Sequence, residues 1–191
     1  LQCFKFIHKE AIMLTYFKEL SLNRTAWILL AIIALLLEST GLYFQYVMGL
    51  QPCVMCVYER LVISGLLISG IIGAISPRLK LTRYFAIILW GYSAIKGLFL
   101  AIRHTDYQLN PAPWNQCEFK PDFPQTMPFD QWFPQIFAPG PVNCSESQWE
   151  MLGWGMPQWL ILAFGCFTLF FVLVLISQFK KSNPQYRSVF R

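Results

Sequence analysis

Four apolar runs, roughly Ala26 to Tyr46, Val57 to Ile75, Tyr84 to Ile102 and Met156 to Ser177, are each about 20 residues long, enough to cross a bilayer core as a helix. A backbone in lipid must satisfy its hydrogen bonds within the segment, so the runs commit the chain to an all-α membrane protein, a four-transmembrane-helix bundle. Composition points the same way: 55% hydrophobic, 17% aromatic and only 13% charged is too apolar for an ordinary soluble domain. The net charge of +5 does not indicate nucleic acid, because the basic residues are spread over span ends rather than gathered in one patch.

An even number of spans puts both termini on one side. Of the 15 Lys and Arg, Lys5, Lys9, Lys18 and Arg24 precede the first run, Arg78, Lys80 and Arg83 fill the middle turn, and Lys180, Lys181, Arg187 and Arg191 follow the last. The positive-inside rule makes those three regions cytoplasmic. The expected organisation is a cytoplasmic N-terminal segment over 1–25, a transmembrane domain over 26–177 and a cytoplasmic tail over 178–191. The opposite side then carries a short turn with Cys53 and Cys56 and a long loop, 104–155, with Cys117 and Cys144. The first twenty residues show no clear cleavage pattern and the first apolar run is too long for a signal-peptide core, so the first span reads as retained. Cys3 falls in the cytoplasmic segment and reads as a reduced thiol; Cys166, mid-span, reads as a small buried hydrophobe.

Six prolines between Cys117 and Cys144, at 121, 124, 128, 134, 139 and 141, rule out a long regular helix there. One stretch resists: Phe129, Trp132, Phe133, Ile136 and Phe137 recur at helical spacing. The spacing predicts a short helix lying in the membrane interface with its aromatic face in lipid, or one packed on the bundle top. Either placement brings the long loop near the Cys53/Cys56 turn.

Within Pro52-Cys53-Val54-Met55-Cys56-Val57-Tyr58-Glu59-Arg60, two cysteines separated by two residues stand at a helix start, where free amides and the helix dipole favour a thiolate. Arg60, four residues after Cys56, shares its helical face and adds a positive charge. Three chemistries fit: a redox pair, a closed zinc site built with Cys117 and Cys144, or structural disulfides. A bridge across so short a loop restrains the unfolded chain little, which suits reversible exchange better than reinforcement. Glu38 and Lys96, the deepest charges in the apolar runs, sit at matched depth and are expected to pair. His104 ends the third run beside Arg103, either solvated or forming with Arg60 a pocket that donates hydrogen bonds to a carbonyl-bearing ligand.

PCVMCVYER, the run from His104 through Cys117, QWFPQIF before Cys144 and MPQWL opening the last span together resemble the DsbB family, bacterial inner-membrane disulfide-generating proteins, over roughly Trp27 to Phe179. The resemblance implies that Cys53 and Cys56 are the quinone-proximal pair and that Cys117 and Cys144 face a periplasmic DsbA-like partner. It implies further that Arg60, His104 and Glu59 bind the cofactor, a ubiquinone or menaquinone drawn from the quinone pool in the membrane lipid. No metal is implied. Gln51 and Tyr46 depart from the more basic or histidine side chains of some relatives, and the segment before Arg24 has no counterpart. Two rivals are a quinone/thiol oxidoreductase resembling vitamin K epoxide reductase, whose cysteine pair normally opens a later helix, and a non-enzymatic membrane protein with structural bridges.

Overall fold

A computed structural model describes residues 13–118, 120–123 and 126–179. Cys3, Lys5, Lys9, Pro124, Lys180, Lys181, Arg187 and Arg191 lie outside the described residues. Helical residues 13–22 (α1) precede four helices long and apolar enough to cross a membrane: α2 (Arg24–Tyr46), α3 (Val54–Ile75), α4 (Lys80–Leu109) and, after the long loop, α7 (Met156–Ser177). Within that loop lie two single-turn helices, α5 (Phe129–Trp132) and α6 (Pro134–Phe137). The four-helix membrane bundle expected from the sequence is the observed architecture, with α2 packed on α3, α3 on α4 and α4 on α7.

The helix starts follow from local chemistry. Asn23 caps α2, its side chain accepting from the Thr25 amide at 3.0 Å. Pro157 stands in the first turn of α7, and Gln158 accepts from the Gly155 amide at 2.8 Å. Small residues let the spans approach closely. A Cβ on Gly70 would lie 2.7 Å from the Ala31 backbone nitrogen, and one on Gly97 would lie 2.3 Å from the Phe164 ring, so α3 rides on α2 and α4 on α7 at these points. The core between them holds Trp27, Leu66, Ile87, Trp90 and Phe164. Leu36, Ile88 and Phe99 point outward and exposed, as lipid-facing side chains do.

Several expectations need correction. The third span runs 30 residues, from Lys80 to Leu109, well beyond Tyr84 to Ile102. At 1.5 Å per residue this is about 45 Å, longer than a hydrocarbon core. Nothing in Thr105-Asp106-Tyr107-Gln108 breaks a helix, so α4 continues until Pro111 constrains its predecessor Asn110. His104 is therefore buried within the helix instead of ending it. The expected Glu38–Lys96 pair does not form. Lys96 is exposed on α4, while Glu38 is buried on α2 with neither carboxylate oxygen hydrogen-bonded. Matched depth was not enough, because α3 intervenes between the two helices. Cys166 is exposed on α7, not buried.

The aromatic stretch splits into α5 and α6, because Pro134 removes an amide and biases Phe133 out of the helical region; its φ and ψ are −133° and 63°. Trp132 and Phe133 are exposed while Phe137 is buried on the α3 side, so the stripe is divided between an open face and the bundle top. The sequence reading contains no strand, yet Glu150–Met151 pairs antiparallel with Trp154–Gly155. Leu152 and Gly153, at φ 56° and 77°, make the connecting two-residue turn, whose positive dihedrals match those of tight hairpins.

Candidate active site: two cysteine pairs beside a membrane cavity

Pro52 and Cys53 end the chain's passage from α2 to α3, and Cys53 is the N-cap of α3. Its sulfur accepts the Cys56 amide at 3.2 Å, so the free amide of the helix start serves Cys53 rather than Cys56. The two sulfurs lie 2.6 Å apart with both cysteines free, and little movement separates this arrangement from a closed bridge. Cys53 is buried and Cys56 half-buried.

Cys117 and Cys144 are joined in a disulfide, with Cα atoms 6.1 Å apart. Cys144 packs into one buried cluster with Cys53, Met55 and Tyr107, with Cys56 and Cys117 against it. All four cysteines expected at the site thus come together although 91 residues separate Cys53 from Cys144. The four-thiolate zinc site considered from sequence does not form, because Cys117 and Cys144 are spent on each other. Cys53, Cys56 and His104 do place one potential ligand atom each within 4.8 Å of one another.

What holds the proline-rich loop on the turn is a set of contacts to its backbone. The Gly140 amide donates to the Pro52 carbonyl at 2.8 Å, Tyr46 donates its hydroxyl to the Gln135 carbonyl at 2.7 Å, and the Asp122 amide donates to the Tyr58 hydroxyl at 2.6 Å. Phe123 meets the Tyr58 ring edge-on at 5.9 Å. Phe44 and Trp149, with ring centroids 5.0 Å apart, join the outer end of α2 to the loop before the hairpin.

Arg60 sits one turn after Cys56, as the spacing requires, but its hydrogen bonds lead elsewhere. The guanidinium donates to the Gly41 carbonyl at 2.8 Å, the Ile136 carbonyl at 3.1 Å and the Gln45 side-chain oxygen at 2.5 Å, tying α3 to α2 and α6. The basic group nearest the sulfurs is His104. Its Nε2 is 3.5 Å from the Cys53 sulfur and its Nδ1 is 3.0 Å from Oε1 of Glu59. His104 and Glu59 are 3% and 2% exposed, so the pair is buried. Between α2, α3, α4 and the start of α7 opens a cavity of about 300 Å³, lined by Leu37, Phe44, Leu160, Cys56, Arg60 and His104 among others.

Sequence reasoning named the four cysteines, Arg60, His104 and Glu59, and the structure brings all seven to one end of the bundle. It missed Gln45 and Tyr107. Gln45 carries a signal, as a polar side chain near the end of an otherwise apolar run; Tyr107 carries none, since it lies beyond Ile102, where the third apolar run ends.

A membrane bundle that buries one closed and one open cysteine pair in a single cluster is a membrane thiol–disulfide oxidoreductase. The family described as "Disulfide bond formation protein DsbB" matches residues 23–174. Among similar proteins, the "Disulfide bond formation protein B" of Actinobacillus pleuropneumoniae serotype 5b (strain L20) is 75% identical over 179 residues, covering 94% of this chain and all of that protein. The Haemophilus ducreyi protein of that name is 66% identical with the same coverage, and one from Haemophilus influenzae (strain ATCC 51907 / DSM 11121 / KW20 / Rd) is 51% identical over 92% of this chain and 98% of its own. The chain belongs to the DsbB family of disulfide-generating membrane oxidoreductases, which sets aside the epoxide-reductase-like and non-enzymatic alternatives.

Proposed function

We propose that the protein oxidises a periplasmic DsbA-like thioredoxin-fold dithiol through Cys117 and Cys144, and passes the two electrons through Cys53 and Cys56 to a ubiquinone or menaquinone. The observation that carries this reading is the single buried cluster of Cys53 and Cys144 beside the cavity, since exchange needs the two pairs within reach of one another. In this reading the protein lies in the bacterial inner membrane. Both termini, 1–25 and 178–191, are cytoplasmic, and the redox loops are periplasmic. The arginines and lysines flanking α2, α3 and α4 support that orientation.

The cavity suits a quinone head group: its walls are largely apolar, as a ring requires, and Arg60 supplies donors for carbonyl oxygens, with His104 beside it. A bound quinone supplies a two-electron acceptor. Every other step belongs to the protein. The partner's thiolate attacks Cys117, breaking the Cys117–Cys144 bond and releasing Cys144 as a thiolate. Cys144, in the same buried cluster as Cys53, attacks its sulfur in a Cys53–Cys56 bridge, and Cys56 leaves into the cavity. Arg60 holds the cavity wall closed against the loop, while Glu59 and His104 form its polar side.

Purified protein mixed with reduced partner and a soluble quinone tests this directly. Quinone absorbance should bleach at the rate of partner oxidation, one quinone per dithiol; bleaching without partner oxidation, or no bleaching, would overturn the reading.

A further inference from the structure

The relay treats Glu59 and His104 as cavity wall, but the two also form a buried contact chain to the sulfurs, Glu59 Oε1 to His104 Nδ1 at 3.0 Å, then His104 Nε2 to Cys53 Sγ at 3.5 Å. A carboxylate bonded to one imidazole nitrogen fixes the ring's orientation and tautomer and stabilises the imidazolium, leaving the other nitrogen to exchange a proton with its neighbour. We infer that His104 is the proton acceptor and donor for Cys53 in exchange between the two cysteine pairs, and that Glu59 is a positioning residue acting on Cys53 through His104.

The step that needs this is release of Cys53. Once Cys144 is bonded to Cys53, with Cys56 reduced, the partner's second thiolate displaces Cys117 from their mixed disulfide and the partner leaves oxidised; the freed Cys117 thiolate then attacks the Cys144 sulfur. The Cys117–Cys144 bond forms, the Cys53–Cys144 bond breaks, and the electron pair leaves on Cys53. Cys53 departs into a site where its near partners are the Cys56 sulfur, the Cys56 amide and, as the one basic group among them, the His104 ring. A thiolate buried there is costly unless a positive charge faces it. The imidazolium, held by Glu59, faces the thiolate and stays paired with it, so neither charge is stranded in the reduced state. The outcome is a closed Cys117–Cys144 bridge and a reduced Cys53/Cys56 pair.

The groups around His104 are few. Glu59 approaches from α3, Cys53 and Cys56 from its cap and first turn, and Cys144, which does not titrate in its disulfide, from the loop; Arg60 lines the same cavity. On α4 itself Tyr107 shares the cysteine cluster, with its hydroxyl accepting from Arg103 at 2.9 Å. No other carboxylate is bonded to the imidazole among the described residues, so Glu59 is the one lever on it.

The inference rests on the relay reading, and a measurement without quinone separates the two. The full-length protein is equilibrated in glutathione buffers, quenched in acid, and the oxidation state of each pair is read by mass spectrometry. Glu59→Gln keeps the size of the side chain and removes its charge. It should weaken stabilisation of reduced Cys53 about tenfold, moving the Cys53/Cys56 potential negative by about 30 mV while leaving Cys117/Cys144 unmoved. His104→Gln should produce at least that shift, and adding Glu59→Gln to it should produce none, because a residue acting through His104 has nothing left to act on. Additive shifts, an unshifted potential in either single variant, or equal shifts in both cysteine pairs would overturn the inference. If Glu59→Gln does not fold, His104→Gln still decides by shifting or not shifting the potential. The quinone assay can fail with these shifts present, or succeed with them absent, so the two claims fall separately.

Discussion

The two cysteine pairs are built in opposite ways. Cys53 and Cys56 stand three residues apart at the rigid start of α3, free, with an imidazole and a carboxylate buried behind them. Cys117 and Cys144 stand 27 residues apart on a proline-rich loop and are joined. Closing the first loop removes little chain entropy, whereas closing the second contributes about 3 to 4 kcal/mol in the chain-entropy account. The inner pair is thus shaped by its surroundings for exchange. The outer pair combines exchange with holding the loop, and opening it releases part of what keeps the loop on the bundle.

The comparison is most easily broken with serine variants. Each of Cys53→Ser, Cys56→Ser, Cys117→Ser and Cys144→Ser should reduce steady-state oxidation of the partner to background, because a relay fails at any missing sulfur. Only the last two should also make the segment between residues 117 and 144 cut faster in limited proteolysis. Equal protection in all four variants would mean that the outer bridge does not hold the loop.

Next in size is Arg60→Met. Its guanidinium joins α3 to Gly41, Gln45 and Ile136, and hydrogen bonds to a charged group contribute about 1.5 to 3 kcal/mol each. The variant should lower Tm by several degrees and raise the apparent quinone KM together, with Arg60→Lys recovering part of both. A KM change without a Tm change would mean that the guanidinium contacts ligand but does not fasten the cavity wall.

Glu38 and Lys96 sharpen the contrast between partnered and unpartnered charge. The carboxylate of Glu38 is buried with no hydrogen bond, unlike that of Glu59, so Glu38→Gln should leave thermal stability unchanged or raise it by about 1 kcal/mol. Lys96→Met, on an exposed face, should stay within about 0.5 kcal/mol of the parent. Strong destabilisation by both would restore the ion pair that the packing rejects.

The smallest effect lies at the far end of the bundle, where Lys18 of α1 donates to the Gln178 side chain at 2.9 Å. Burial, with repulsion from Arg83 added, lowers Lys18 below its usual 10.5. Between the lowered value and 10.5 the unfolded chain binds more protons than the native one, so this residue makes stability rise with pH. Tm of the parent relative to Lys18→Gln should gain about 1 to 2 °C as pH rises toward 10.5, with turnover unchanged.

Four spans and their order were legible because apolar length is a one-dimensional signal, and the CxxC, Arg60 and His104 because helix spacing is local. The partners of those side chains were not legible. Arg60 turns to Gly41 and Ile136, and Glu59 to His104, through contacts between elements that no spacing reports. Glu38 and Lys96 failed for the same reason: depth along two helices says nothing about which faces meet. Pro134 marks the break in the sequence, but the aromatic period runs straight through it and hides it.

The central claim is that the inner and outer pairs exchange directly because Cys53 and Cys144 share one buried cluster. The full-length Cys56→Ser/Cys117→Ser double variant leaves those two sulfurs with no other partner in the cluster. Mild oxidation followed by nonreducing peptide mapping should recover a Cys53–Cys144 bridge within a single chain in most molecules. Bridges only between chains, or both thiols left free, would contradict the account.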